Sequence, residues 1–213
     1  MRSFALLMAA ICGMIFAAAS AAAEEQASGK VDLAKAQQIA SQVCAACHGS
    51  DGNSVAAANP TLAGQPAQYI ALQLQHFKAG VRPSPIMAGM VANLTPEDMT
   101  ALGVYFSQQK PKGSVAKNKE LAQKGQKLYR GGRSNAVPAC SACHGPDGSG
   151  MPAQYPRLSG QSVDYVYDQL KKFKNGERGN NDKDASGRIM TAVAAKLSDE
   201  DMHALAEYAA GLH

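Results

Sequence analysis

The chain carries Cys44-Ala-Ala-Cys47-His48 and, 96 residues further on, Cys140-Ser-Ala-Cys143-His144. C-x-x-C-H is the attachment signature of c-type haem: two thiols add to the porphyrin vinyl groups and the adjoining His ligates the iron. Nothing else in the sequence constrains the fold as tightly, because a covalently held porphyrin demands a pocket built around it. One copy alone would also suit a redox dithiol or half of a zinc site. A thioredoxin-type dithiol belongs in a βαβ context, and this sequence has almost no strand pattern. A zinc ribbon brings its second thiol pair about 15–20 residues on, far closer than here. Two copies therefore predict two covalent haems, one held by Cys44, Cys47 and His48 and one by Cys140, Cys143 and His144.

Residues 1–23 read as a secretory signal, with Arg2 as the charged start, an apolar run over residues 5–19 and Ala21-Ala22-Ala23 as the cleavage site. The run is too short and too rich in Ala for a membrane span. Cys12 lies inside it, but a lipid-anchor signal needs small residues just before the Cys, and Ile11 is wrong. The mature chain is expected to begin near Glu24. Its four remaining Cys all belong to the haem motifs, so none is spare for a disulfide. Residues 24–112 hold six basic and six acidic side chains, and residues 113–213 hold fourteen and eleven. This modest surplus reads as a solvated surface. Four ionised haem carboxylates would cancel it. There is no stripe of positive charge for nucleic acid.

The motifs head an internal repeat. At the same offset of 96, Asp51-Gly52, Pro60, Leu62-Ala-Gly64-Gln65, Tyr69, Gln73-Leu74, Phe77-Lys78 and Gly80 match Asp147-Gly148, Pro156, Leu158-Ser-Gly160-Gln161, Tyr165, Gln169-Leu170, Phe173-Lys174 and Gly176. The offset then becomes 103, so that Met87, Leu94, Met99 and Tyr105 match Met190, Leu197, Met202 and Tyr208. The seven extra residues fall in the polar stretch 179–187, a surface loop by composition. Each copy reads as helical. Tyr69, Ile70, Leu74 and Phe77 share a helical face, as do Tyr165, Val166, Leu170 and Phe173. Thr95-Pro96-Glu97-Asp98 and Ser198-Asp199-Glu200-Asp201 read as capped helix starts. Helices are expected before each haem motif, near residues 33–42 and 121–129. The prediction is an all-α chain of two small domains, residues 24–110 and 118–213, joined by a linker over 111–117. Each domain is small enough for the porphyrin to supply much of its buried surface.

His48 and His144 supply the fifth iron ligands, and the sixth decides between electron transfer and reactivity. Met90 and Met151 align with Val193 and Val55, so neither has a counterpart. Met99 and Met202 do match, but Met99, Leu102 and Phe106 share an apolar helix face, and so do Met202, Leu205 and Ala209. Both Met read as core. Met87 and Met190 are expected in a loop between helices, where they could cover the open face of each haem; they are the preferred ligands, with Met90 as competitor. A Pro60 or Pro156 carbonyl, twelve residues after its His, could accept the Nδ1 proton and leave Nε2 for iron. His76, His203 and His213 lack repeat partners and read as surface or helix-end residues.

With these motifs, the L-x-G-Q segments, the Tyr…Gln-Leu…Phe helices, Arg130-Gly-Gly, Ile189-Met190 and Val193-Ala-Ala-Lys-Leu197, the mature chain resembles the diheme cytochromes c of the cytochrome c4 type. The resemblance implies two cytochrome c domains packed with pseudo-twofold symmetry. It also implies iron ligation by His48 with Met87 and by His144 with Met190. It implies a periplasmic electron carrier at or near the inner-membrane surface, passing electrons from a quinol-oxidising complex or another donor to a terminal oxidase. The Arg82–Met87 segment is shorter than expected for the family. Two rival functions remain: an electron-accepting subunit of a dehydrogenase, such as a sulfide-oxidising flavoprotein, and a diheme peroxidase. The second needs a displaceable ligand, which a matched Met in both copies argues against.

Overall fold

The computed structural model describes residues 31–134, 137–151 and 153–212. The expected signal segment and His213 lie outside them. Among the described residues the regular structure is helical, and β-pairing is limited to the isolated bridges Arg133–Val137 and Met151–Tyr155. The first half enters its haem motif without a break. Asp32 caps α1 (Leu33–Ile39), which runs through a π-helical turn (Ala40–Cys44) into α2 (Ala45–His48). A loop then leads to α3 (Ala67–Lys78), α4 (Pro85–Val91) and α5 (Pro96–Ser107). The second half repeats the order with α6 (Lys119–Gly131), α7 (Ser141–His144), α8 (Val163–Lys174), α9 (Ala185–Ala194) and α10 (Asp199–Ala210).

Local chemistry accounts for these boundaries. Thr95 and Ser198 each form a capping box, accepting from the backbone N–H of Asp98 or Asp201 while that carboxylate accepts from the cap's own N–H. Lys78 at the end of α3 donates to the Leu94 carbonyl at 2.6 Å, and Lys174 at the end of α8 donates to the Leu197 carbonyl. The match holds even though the repeat offset has changed between the two partners. In the first half α3 packs on α5, and in the second α6 packs on α10. Both crossings are close. A Cβ added to Gly103 would lie 2.3 Å from the Ala67 carbonyl oxygen, and one added to Gly125 would lie 2.0 Å from that of Ala204. Ile70, Phe77, Val91, Leu94, Met99, Leu102 and Phe106 form the first core. Leu128, Tyr129, Val137, Leu197, Met202, Leu205 and Leu212 form the second.

The halves meet through reciprocal hydrogen bonds that respect the repeat. The Gln65 amide donates to the Arg157 carbonyl at 2.7 Å and accepts from the Arg157 N–H at 3.0 Å; the Gln161 amide does the same with Thr61, at 2.6 and 3.0 Å. Thus the Gln of each L-x-G-Q segment reads the other half's backbone. Residues 111–117 are held at both ends. The Asn53 side chain bonds the Lys110 carbonyl and the Lys112 N–H, and the Glu207 carboxylate accepts from the N–H groups of Lys117 and Asn118.

Two expectations are corrected. Met87 and Met190 lie on α4 and α9 rather than in a loop, because Ser84 with Pro85, and Asp184, supply helix starts just before them. The stretch 179–187 is not simply a surface loop. Gly179, Asp184 and Gly187 are buried, and its last residues open α9. His76 does lie at a helix end, in the last turn of α3, and is buried there. Its Nδ1 has no hydrogen-bond partner and lies 3.9 Å from the Asp184 carboxylate.

Candidate haem-binding sites

Each C-x-x-C-H ends in a single helical turn, and the chain leaves it on a glycine of positive φ, Gly49 or Gly145. The loop then folds back so that a proline carbonyl meets the histidine. The Pro60 oxygen lies 2.9 Å from His48 Nδ1, and the Pro156 oxygen lies 2.9 Å from His144 Nδ1. A carbonyl can only accept, so Nδ1 carries the proton in both rings and Nε2 keeps its lone pair. Burial lowers the pKa of both rings and outweighs the proline carbonyls, which act the other way. Neutral imidazole with a fixed tautomer is the form that binds iron. The turn that brings each proline into place depends on Gly52 and Gly148. The Gly52 carbonyl accepts from Leu62 and Ala63, and a Cβ there would lie 2.8 Å from the Phe106 ring.

The thiols fit attachment better than redox exchange. Burial pushes Cys44 and Cys140 up to about 11, whereas a redox-active C-x-x-C has a thiol lowered toward neutrality. Among the described residues no group of three or more His, Cys, Asp or Glu is arranged to hold a metal ion. When bound, haem c supplies one-electron chemistry between ferric and ferrous iron.

Of the six methionines after residue 23, Met99 and Met202 are core, each 2% exposed, while Met90 and Met151 are exposed. Met87 and Met190 are half-buried. Met87 packs against the first core, as do Cys44, Leu62, Leu74 and Tyr105. In the second half the matching residues Cys140, Leu158, Leu170 and Tyr208 pack against the core in the same way, and Val193 of α9 does too. The surroundings of the two histidines also differ. Ser54 and Asn59 bond the Cys47 carbonyl in the first half. At the position matching Asn59 the second half has Tyr155, whose ring meets His144 edge-on at 6.1 Å between centroids.

The sequence pattern of the cytochrome c family matches residues 33–110 and again residues 122–212. Cytochrome c4 of Azotobacter vinelandii is 42% identical over 98% of this chain and 96% of its own length. The crystal structure of reduced recombinant cytochrome c4 from Pseudomonas stutzeri matches with a TM-score of 0.79 at 41% identity, over 85% of this chain and 99% of that one. This chain belongs to the cytochrome c4 family of diheme cytochromes c. It is an electron-transport protein of two tandem cytochrome c domains with two covalently bound haem c groups. A thiosulfate dehydrogenase electron acceptor of Thiomonas intermedia (strain K12) is 39% identical over 78% of this chain and 77% of its own. Among the described residues no helix is long and apolar enough to cross a membrane.

Sequence reading missed Arg82 and Arg178. They obey the offset of 96, so the repeat itself was the available signal, but sequence could not show that the two residues meet. The interface role of Gln65 and Gln161 was hidden for the same reason.

Proposed function

We propose that the protein is a periplasmic electron carrier in a respiratory chain, exported by residues 1–23 and folded as haem domains over residues 24–110 and 118–213. Cys44, Cys47, Cys140 and Cys143 form the thioether links. His48 with Met87, and His144 with Met190, ligate the two irons. Electrons arrive from a quinol-oxidising complex or another donor and leave toward a terminal oxidase. The paired His–Pro hydrogen bonds carry this reading, since the chain presents the same prepared Nε2 twice and one half-buried Met on the same helix of each repeat. Two filled coordination spheres leave no room for substrate. The test is the ferrous protein under carbon monoxide: an unchanged spectrum at both haems is expected. A shift at one haem would overturn the ligand assignment and revive the peroxidase reading.

A second reading is an electron-accepting subunit of a dehydrogenase. The relative described as a thiosulfate dehydrogenase electron acceptor favours it, in a form that oxidises thiosulfate rather than the flavoprotein-linked sulfide oxidation considered from sequence. Stopped-flow reduction separates the two. As a respiratory carrier the oxidised protein is reduced by quinol-oxidising membranes and reoxidised by oxidase-containing membranes. Rapid reduction by thiosulfate with a purified thiosulfate dehydrogenase, and none by the membranes, would replace the first reading with the second.

A further inference from the structure

Two arginines cross at the interface between the halves. Arg82 donates to Gln73 of its own half at 2.8 Å, and to Gln169 and Tyr165 of the other at 2.8 and 3.1 Å. Arg178 donates to Gln169 of its own half at 2.6 Å, and to Gln73 and Tyr69 of the other at 3.1 and 2.9 Å. Each Gln oxygen thus bridges both guanidiniums. The planes are braced from behind, with Arg82 over Phe77 at 4.6 Å and Arg178 over Phe173 at 4.5 Å. Every member obeys the repeat offset of 96, so this is a symmetric device and not a chance contact.

Its chemistry is unusual in one respect. Arg178 is buried and Arg82 half-buried, yet among the described residues neither forms an ion pair with a carboxylate. The hydrogen-bond partners are amides and phenols, Arg178 Nε is buried without a hydrogen-bond partner, and the Asp184 carboxylate reaches Arg178 only through its field. Guanidinium does not lose its proton, so two positive charges stand one amide oxygen apart, with Asp184 as the carboxylate that acts on Arg178. If the arginines served only to cross-link the halves, a neutral pair would do so without the cost of burying charge.

We propose that Arg82 and Arg178 are positioning residues that also act electrostatically, their shared charge favouring the ferrous state of both haems. This rests on the electron-carrier reading above. The charge stands at the junction, belongs to both halves, and opposes the extra positive charge of ferric iron. Arg82 lies five residues before Met87, and Arg178 twelve before Met190, so both lead into the ligand-bearing helices.

The experiment compares holoprotein variants by spectroelectrochemistry and by thermal unfolding. Arg82→Gln and Arg178→Gln should each shift both haems several-fold toward ferric at a fixed poise. Arg82→Lys and Arg178→Lys keep the charge but lose the planar fork, and should unfold at lower temperature with the potentials little changed. Tyr69→Phe and Tyr165→Phe remove one bond from each crossing and no charge. They too should lower the unfolding temperature and leave the potentials in place, and they serve if a Gln variant fails to fold. Equal shifts from Lys, Phe and Gln variants would overturn the proposal by showing that only packing matters. So would Gln variants with unchanged potentials. Carbon monoxide binding by the wild-type ferrous protein would instead remove the ligand assignment, and the potentials would still report on the charge.

Discussion

The two halves share one plan and enter their haem motifs differently. In the first, α1 runs directly through a π-helical turn into Cys44, with no loop between helix and motif. In the second, α6 stops at Gly132, and the chain reaches Cys140 through a segment pinned by the Arg133–Val137 bridge. Arg133 also donates to Asp201 and to the Lys196 carbonyl, tying that segment to the start of α10. Tyr129 bonds the Gly145 carbonyl at 2.7 Å from within the second core. The second half also carries the extra residues before α9, and through Asp184 these reach His76 of the first. There burial, Arg178 and Arg82 hold the imidazole below its usual pKa against the pull of Asp184. The repeat is thus faithful in the bonds that orient each His and in the Gln and Arg links between the halves, but not at His76, where the inserted segment alone reaches across. The His–Pro bonds, the L-x-G-Q amides and the crossed arginines are common to both copies, whereas entry and loop length have diverged.

The largest expected effect comes from removing one haem, which asks whether the two copies mature independently. Cys44→Ser with Cys47→Ser should halve the covalent haem per chain, read by haem staining and pyridine haemochrome, and Cys140→Ser with Cys143→Ser should do the same. If either pair abolishes both haems, the halves do not mature separately. The next effect is on potential. The second half is more basic, and its His144 faces the Tyr155 ring where the first half has Asn59. Both differences favour ferrous iron. A redox titration should therefore resolve two steps, the higher one lost or lowered in Met190→Ala and the lower one in Met87→Ala. A single unresolved step would mean that the local differences cancel.

A smaller effect tests the helix crossings. Gly125→Ala forces a Cβ against the Ala204 carbonyl and should cost about 1–3 kcal/mol. In the first half α1 packs on α5 through Ala36, which is 1% exposed. There the reverse change, Ala36→Gly, should cost only about 0.5–1 kcal/mol. Thermal unfolding of the holoprotein checks both, and equal losses would show that the crossings are equivalent. The smallest effect concerns acid. Hydrogen bonds from Lys35 and Thr95 hold Asp98 below the ordinary 3.8. Burial would raise Asp201, but bonds from Ser198 and Arg133 outweigh it and hold that carboxylate low too. A depressed folded pKa gives stability above the unfolded value, and that stability is lost as pH falls through the folded one. Stability should therefore drop below about pH 4. Asp98→Asn should flatten this limb more than Asp201→Asn, because the side chain of Asp98 is 9% exposed and that of Asp201 is 19%. The reverse ranking in pH-dependent urea melts would place the greater dependence in the second half.

Cofactor class, duplication and helical plan are all legible in the sequence, because each is written in short-range chemistry. A C-x-x-C-H, a capping box or an apolar face needs only residues a few positions apart. The same local logic selects Met87 and Met190 over Met99 and Met202, since core methionines share a helical face with other apolar residues. What lies across long loops emerges only in the folded chain. The helices under Met87 and Met190 depend on Ser84 and Asp184, whose capping role shows only once the following turn has formed. His76 is buried because residues from the other half close over it. Arg82 and Arg178 are ordinary basic residues in the sequence and become a shared buried charge only when two copies of one plan face each other. A hydrogen bond from one half to the other leaves no periodic trace along the chain, so the fold alone reveals it.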